Sequence, residues 1–260
     1  LYLKPHLRLP NSDMKAVVPE EILINAIAAN LDGLRHVAVG ASSPIPGAAA
    51  LLARSRSQGR MRVSILGSED NNFFSDGGKE IFDVAGQGRM DAFFLSGAQI
   101  DGKANVNLVS VGEYQQPKAR FPGSFGSGYL YFVVPRVILF RLEHTPRTLV
   151  EEVDFISAPG FSDDNVYRPG GPHKLITNRC LFDVDKKRKC FRLESIHPGH
   201  SVDEIHEQTG FKFDLPEGEI PETSTPNTDT LSIIRGEVAS EISEIYPAFA
   251  ARVFGVNSTV

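Results

Sequence analysis

The sequence predicts an α/β protein, in which a mostly parallel central β-sheet is flanked by helices and an added β-hairpin region lies in the C-terminal half. Three observations predict this fold class. Short β runs alternate with helix-forming stretches up to residue 95. Each of these β runs ends at, or is followed by, a glycine or a serine. After Glu151 the apolar runs follow one another closely, as paired strands do.

The first half alternates helices and strands. Pro19, Glu20 and Glu21 begin a helix, because proline and acidic residues favour a first turn, and Gly33 ends it. The later elements of this half are strands over residues 35–40, 62–66 and 91–95 and helices over residues 47–54 and 79–88. Strands separated by helices at this spacing form right-handed βαβ units, and such units build a parallel sheet.

In parallel sheets the loops at the carboxyl ends of the strands hold the ligand. Here these loops begin at Gly40, Gly67 and Ser96, so we expect the active edge of the sheet at these loops. The chain between residues 98 and 128 is dense in glycine, asparagine and serine, and glycine permits close approach of the backbone to a ligand.

The second half predicts further strands over residues 136–140, 174–177, 180–183 and 190–194. The turn Asp185-Lys-Lys-Arg-Lys189 joins the last two into a β-hairpin. Ser201-Val-Asp-Glu204 has the pattern of a capping box and starts a short helix that Gly210 ends. We divide the chain into one α/β domain, residues 1–222, and a linker with a C-terminal helical tail, residues 223–260, with helix over 231–254.

Composition excludes several classes of protein. With 260 residues, of which 41% are hydrophobic, the chain can bury a core and is neither disordered nor a disulfide-stapled miniprotein. The net charge of −5 argues against nucleic-acid or anionic-membrane partners. Two cysteines, no apolar run of about 18 residues and no secretory signal pattern predict a cytoplasmic protein.

Common catalytic signatures are absent from the sequence. It has no P-loop lysine motif, no dinucleotide fingerprint with a downstream acid and no nucleophile-elbow serine. His197-Pro-Gly-His200 with His206 could suggest a metal site, but the proline and glycine break a helix and no cysteine or carboxylate follows at ligand spacing. We therefore predict a turn there and no metal.

The polar middle of the chain carries the chemistry that residue types alone can indicate. Backbone N–H groups of the glycine-rich loop 122–128, which opens a predicted helix, and the amide of Asn105 or Asn107 could together stabilise a developing oxyanion. The alternative is a glycine-rich crossover in which asparagine side chains tie down turns. Residue types leave both interpretations open.

The order of motifs resembles a known family. Val39-Gly-Ala-Ser-Ser-Pro-Ile-Pro-Gly47, Gly97-Ala-Gln-Ile-Asp101, Asn105-Val-Asn107 and Pro117-Lys-Ala-Arg-Phe-Pro-Gly-Ser124 follow one another as in the second (β) subunit of class I CoA-transferases, with the glutaconate CoA-transferase type most similar. The resemblance covers residues 18–212 and implies the CoA-transferase/NagB-like form of the α/β fold.

The resemblance implies a partner, a substrate and site residues. Such β subunits pair with an α subunit of related fold, as αβ or α2β2, and bind an acyl-CoA between them. Coenzyme A is part of the substrate, and no permanently bound cofactor is implied. The resemblance assigns donors for the thioester oxygen to Asn107 and Gly126. It places the remaining substrate contacts at Ser68, Gly97, Gln99, Asn105, Gly123, Ser124, Ser127 and Gly128.

The sequence departs from the family pattern at the nucleophile. Related β subunits carry a glutamate after an early strand, and its carboxylate attacks the thioester to form a glutamyl-CoA intermediate. Here Gly67 stands at that position, and Ala104 replaces a second usual residue, a glycine. Glu69 is displaced by two residues, or about 6 Å along an extended chain. We therefore expect the covalent step to be lost.

Loss of the glutamate has a parallel in this family. The steroid ring-cleaving CoA hydrolases resemble class I CoA-transferases, lack the β-subunit glutamate and cleave a carbon–carbon bond with a glutamate of the α subunit. The sequence therefore predicts the β subunit of a CoA-dependent hydrolase of catabolism. One alternative is ordinary CoA transfer with Glu69 as the nucleophile. Another is a subunit that binds or scaffolds without catalysing.

Overall fold

The structure is a computed structural model and describes residues 16–256. Its first half contains α1 (Pro19–Ala29), β1 (His36–Val39), α2 (Pro44–Arg56), β2 (Arg62–Ile65), α3 (Gly77–Gly86) and β3 (Ala92–Leu95). The middle contains β4 (Gln99–Ile100), β5 (Val106–Asn107), β6 (Ser110–Val111), β7 (Ala119–Arg120), α4 (Ser127–Val133) and β8 (Arg136–Arg141). The remainder contains β9 (Pro172–Thr177), β10 (Cys180–Asp185), β11 (Cys190–Ile196), α5 (Val202–Gln208), α6 (Thr228–Ile233), a π-helical turn (Ile234–Val238), α7 (Ala239–Ile245) and α8 (Pro247–Phe254).

The seven-stranded sheet has the order β11-β10-β9-β8-β3-β1-β2. Pairs β1–β2, β1–β3, β3–β8 and β8–β9 are parallel, whereas β9–β10 and β10–β11 are antiparallel. The predicted fold class is confirmed, including the hairpin in the C-terminal half. The sequence analysis missed two short hairpins, β4–β5 and β6–β7, because strands of two residues have no readable alternation.

Helices cover both faces of the sheet. Along β1, Val37 and Val39 face a core formed with α1 and α2, while Ala38 faces the core on the opposite side. β3 alternates in the same way, with Phe94 on the first side and Phe93 on the second. Because both faces are buried, every residue of β1 and β3 is buried, as central parallel strands require.

The C-terminal helices belong to the first of these layers. Ile234, Val238 and Ile242 recur at helical spacing, are fully buried and pack in the same core as α1 and α2. Arg235 of the π-helical turn also pairs with the buried Glu21 of α1, with 2.6 Å between Nε and Oε1. The predicted helical tail therefore packs against the domain as part of its core. The division at residue 222 stays a prediction.

Two helix starts differ from the prediction by a few residues. α2 begins at Pro44 and not at residue 47, because proline lacks an N–H that a first helical turn does not need. α3 begins at Gly77 and ends at Gly86. The capping box at α5 is present, since Ser201 Oγ accepts the backbone N–H of Glu204 at 3.2 Å.

Replacing that cap should destabilise the protein by a small, measurable amount. Ser201→Ala removes the acceptor of the Glu204 N–H, and we expect a loss of about 1 kcal/mol in the free energy of unfolding, measured by urea titration. Ser240→Ala, at an exposed serine of α7, is the matched control and should change little. Equal unfolding free energies for the two variants would show that the cap contributes nothing.

Candidate functional site

The strand order creates a crevice at the carboxyl edge of the sheet. The chain passes from β1 to β2 on one side and then crosses to β3 on the other side of β1. The loops after β1 and β3 therefore leave the sheet in opposite directions, and ligands of open α/β sheets bind at such a switch point. These are the loops that the sequence analysis marked at Gly40 and Ser96.

A cleft of about 690 Å³ opens at the ends of β3 and β8. Ser96, Gly97 and Ala98 form its floor, and Gly123 lies on its rim after Phe121 and Pro122. Two predicted site residues, Gly97 and Gly123, are thus brought together although they lie far apart in the sequence.

Gly97 is required by close backbone packing. A Cβ at this position would lie 2.5 Å from Val106 Cγ1 and 2.8 Å from the carbonyl oxygen of Asn107. Only a residue without a side chain lets the strand end pass beneath the β4–β5 hairpin. The position of the cleft floor therefore depends on this glycine.

Asn107 is buried and its amide is engaged within the chain. Its Nδ2 donates to Gln99 Oε1 at 2.7 Å and to the carbonyl of Ser110 at 2.6 Å, and its Oδ1 accepts the backbone N–H of Val109 at 3.0 Å. Gln99 in turn donates to Asp154 Oδ2 at 3.0 Å. These bonds correspond to the turn-tying alternative of the sequence analysis. A role for Asn107 as donor to a thioester oxygen stays a prediction.

Asn105 lies at a different cleft, of about 620 Å³, together with Lys103 and Lys189. Its Nδ2 donates to Asp101 Oδ2 at 3.0 Å, and its Oδ1 accepts the N–H of Gly160 at 3.0 Å. The preceding Ala104 has a φ of +57°, in the left-handed region. This backbone conformation explains why glycine suits the position in the family pattern.

The glycine-rich loop is packed against α3. Gly126 has a φ of +88° and precedes α4, and a Cβ there would lie 2.5 Å from Phe82 Cζ. The N–H of Ser127 donates to the carbonyl of Ser124 at 2.8 Å, as does its hydroxyl. Gly128 lies close to the backbone of Ser157. Of the predicted residues in this loop, Gly123 alone is among those that line the 690 Å³ cleft.

The loop after β2 carries the position of the missing nucleophile. Gly67 has a φ of +95°, a conformation in which any side chain is strained. Ser68 is buried, whereas Glu69 is exposed. Ser68 Oγ donates to Glu244 Oε2 at 2.6 Å, and the backbone N–H of Glu69 donates to Glu244 Oε1 at 2.9 Å.

Glu244 is a carboxylate at this edge that the sequence analysis missed. It belongs to α7, far along the chain, and a Cβ added at Gly67 would lie 3.4 Å from Cδ1 of the next residue, Ile245. Tyr246 Oη also accepts the backbone N–H of Ser43, in the loop after β1, at 3.0 Å. The C-terminal helices thus hold the loops after β1 and β2, and no local sequence signal indicates this.

One wall of the 690 Å³ cleft is cationic, which the sequence analysis also missed. Arg141, at the end of β8, and Arg147 both line it, and both pair with Glu143. The hydrogen bond from Arg147, ahead of the nearby charges of Arg147 and Arg141, lowers the pKa of the Glu143 carboxyl. Two guanidinium groups and one carboxylate leave a net charge of about +1 on this wall.

The histidines lie in hydrogen-bonded positions. His197 and His200 flank the predicted turn, and His197 bonds to Thr223 and to the carbonyl of Thr177. Within residues 16–256 no group of three or more histidine, cysteine, aspartate or glutamate side chains is arranged to hold a metal ion. Cys180 is buried, Cys190 is half-buried, and both are free thiols. In the same described range no helix is long and apolar enough to cross a membrane.

Comparison with known proteins identifies the family. A family model described as Coenzyme A transferase matches residues 18–208, so the chain belongs to the coenzyme A transferase family. The resemblance stated in the sequence analysis is thereby confirmed at the level of the family and of its B-type subunits.

Its relatives have different activities. The chain is 32% identical over 152 residues to the B-type subunit of glutaconate CoA-transferase from Acidaminococcus fermentans, which covers 56% of each protein. It is 28% identical over 162 residues to the cholesterol ring-cleaving hydrolase IpdB subunit of Rhodococcus jostii, covering 60% of this chain and 62% of the relative. The matches thus span about three fifths of the length of these curated relatives.

Solved structures extend the likeness over more of the chain. The decarboxylase AibA/AibB has a TM-score of 0.73 at 25% identity and covers 93% of this chain and 100% of its own. Glutaconate coenzyme A-transferase from Acidaminococcus fermentans has a TM-score of 0.75 at 22% identity, covering 90% of this chain and 99% of its own, which shows the shared fold.

Proposed function

We propose that the chain is the β subunit of a two-subunit enzyme of this family and that the complex hydrolyses an acyl-CoA, cleaving a ring or another carbon–carbon bond, without a glutamyl-CoA intermediate. The observation that carries the proposal is Gly67, which stands where the family pattern has its attacking carboxylate. Its positive φ of +95° fits glycine and opposes a glutamate. The IpdB subunits among the relatives are named as ring-cleaving hydrolase subunits.

The proposed chemistry needs a base and a set of donors. For a β-keto acyl-CoA, a base activates water, which adds to the ketone carbonyl. The carbon–carbon bond to the α-carbon then breaks, the former ketone carbon becomes a carboxylate, and the α-carbon takes up a proton. The base is supplied by the α subunit in this proposal, while this chain contributes the cleft at Gly97 and Gly123 and backbone donors of the glycine-rich loop.

The first rival is CoA transfer through Glu69. Its side chain is exposed, and its backbone is held by Glu244 at 2.9 Å. Glu69 is not among the residues that line the cleft at Gly97. A nucleophilic carboxylate must reach the thioester carbon, so this placement favours the hydrolase.

The test uses the complex of this chain with its α subunit in water enriched in oxygen-18. The probe is 2-oxocyclohexane-1-carbonyl-CoA, a simple cyclic β-keto acyl-CoA. We expect a ring-opened product with one labelled oxygen in its new carboxylate. Borohydride added with acyl-CoA should leave activity intact, and so should Glu69→Ala. The acyl-CoA thus turns over without a covalent bond to this chain.

Two results would overturn the proposal. Passage of CoA to an added free carboxylic acid, with inactivation by borohydride and by Glu69→Ala, would establish the transferase. Binding of acyl-CoA with no turnover of either kind, and no change on Asn107→Ala, would establish a binding subunit.

A further inference from the structure

The cleft at the ends of β3 and β8 has two walls of different chemistry. Leu108, Val111 and Phe121 make one wall apolar. Arg141 and Arg147 make the other cationic. A volume of about 690 Å³ falls within the range of small-molecule sites. Such a cleft suits a ligand with a hydrocarbon body and a single anionic end.

The cationic wall has hydrogen-bonding capacity to spare. Arg141 Nη2 donates to Glu143 Oε2 at 3.0 Å, and Arg147 Nη2 donates to Glu143 Oε1 at 2.6 Å. Arg141 Nε is buried and has no hydrogen-bond partner among the residues that the structure describes. A buried donor left without a partner is costly, and a guanidinium binds a carboxylate through two parallel N–H groups. Arg141 is thus short of one acceptor.

The wall also has the charge of a monoanion site. Glu143 is held by both guanidinium groups, so one positive charge is left uncompensated. Arg141 has 30% of its side chain exposed, so a ligand in the cleft can reach the group. A carboxylate carries one negative charge, whereas a terminal phosphate at neutral pH carries closer to two.

We propose that this cleft binds the acyl chain and that Arg141, assisted by Arg147, binds a carboxylate at the end of that chain remote from the thioester. This inference rests on the proposed function and names its substrate class, an acyl-CoA with a distal carboxylate on a hydrocarbon body. Hydrolysis of a cyclic β-keto acyl-CoA itself creates such a carboxylate. Arg141 is then a specificity-determining residue that sequence patterns do not reveal.

The test measures equilibrium binding of three probes to the full chain: glutaryl-CoA, its apolar isostere 5-methylhexanoyl-CoA, and free CoA. We expect the chain to bind glutaryl-CoA about tenfold more tightly than the isostere. Arg141→Met should abolish this preference and leave the affinities for the isostere and free CoA unchanged. Arg136→Met, at the opposite end of β8, is the matched control and should retain the preference.

Each contrary result has a distinct meaning. Equal affinity of the unaltered chain for glutaryl-CoA and the isostere, with free CoA still bound, overturns the carboxylate site and leaves the proposed function standing. An equal loss of affinity for all three probes in Arg141→Met also overturns it, because the guanidinium would then bind a CoA phosphate. Failure of all three probes to bind overturns both this inference and the proposed function.

Discussion

Gly97→Ala should reduce the turnover of the complex by about 100-fold, because it displaces the floor of the cleft. The added methyl group would lie 2.5 Å from Val106 Cγ1 and 2.8 Å from the Asn107 carbonyl oxygen. Valine is stiff at χ1 and the second neighbour is backbone, so the β4–β5 hairpin must move. The same overpacking should cost about 2 kcal/mol in the free energy of unfolding.

Gly40→Ala is the matched control for this variant. Gly40 also ends a central strand at the carboxyl edge, but a Cβ there meets no described atom within 4 Å and its φ is not positive. We expect turnover and the unfolding free energy to change little. Unimpaired turnover in Gly97→Ala, or equal impairment in both variants, would show that the cleft floor is not where the substrate lies.

Acidification from pH 7.5 to pH 5 should lower the free energy of unfolding by about 4 kcal/mol through two buried histidines. Burial, ahead of the charge of Arg179, lowers the pKa of His144 to about 3. Burial likewise lowers the pKa of His197 to about 4. His144 bonds to Thr177 Oγ1 and Thr209 Oγ1, both at 2.8 Å, which suits the neutral ring.

The sign follows from proton binding by the two states. In the unfolded chain each histidine has its ordinary pKa of about 6.5, so between that pH and about pH 4 the unfolded state binds more protons than the native state. The stabilising contribution is therefore complete above about pH 6.5 and is lost progressively as the pH falls. Each group contributes about 2 kcal/mol of the loss at pH 5.

Urea titrations at pH 7.5 and pH 5 measure this effect. His144→Gln should remove about half of the pH dependence, whereas His206→Gln, at an exposed histidine of α5, should preserve it. A pH dependence that is unchanged in His144→Gln would mean that the buried ring does not resist protonation, contrary to the prediction.

Local patterns predicted most of the fold and part of the site. The alternation of strands and helices required a parallel sheet, and glycines after strands marked its active edge; Gly97 and Gly123 do meet at one cleft. Asn105 and Asn107 were chosen as donors by residue type, but their amides are engaged within the chain. Residue type shows what a side chain can donate, and only packing decides whether a neighbour has already accepted it.

The sequence by itself determined the strand periodicity, the glycine at position 67 and therefore the absence of an attacking carboxylate there. Tertiary structure alone decided that Glu244 of α7 binds the loop after β2 and that Arg141 lines the same cleft as the apolar wall. The physical reason is the range of the interactions. Backbone conformation and periodic burial depend on neighbouring residues, whereas these contacts form only when the core brings distant segments together.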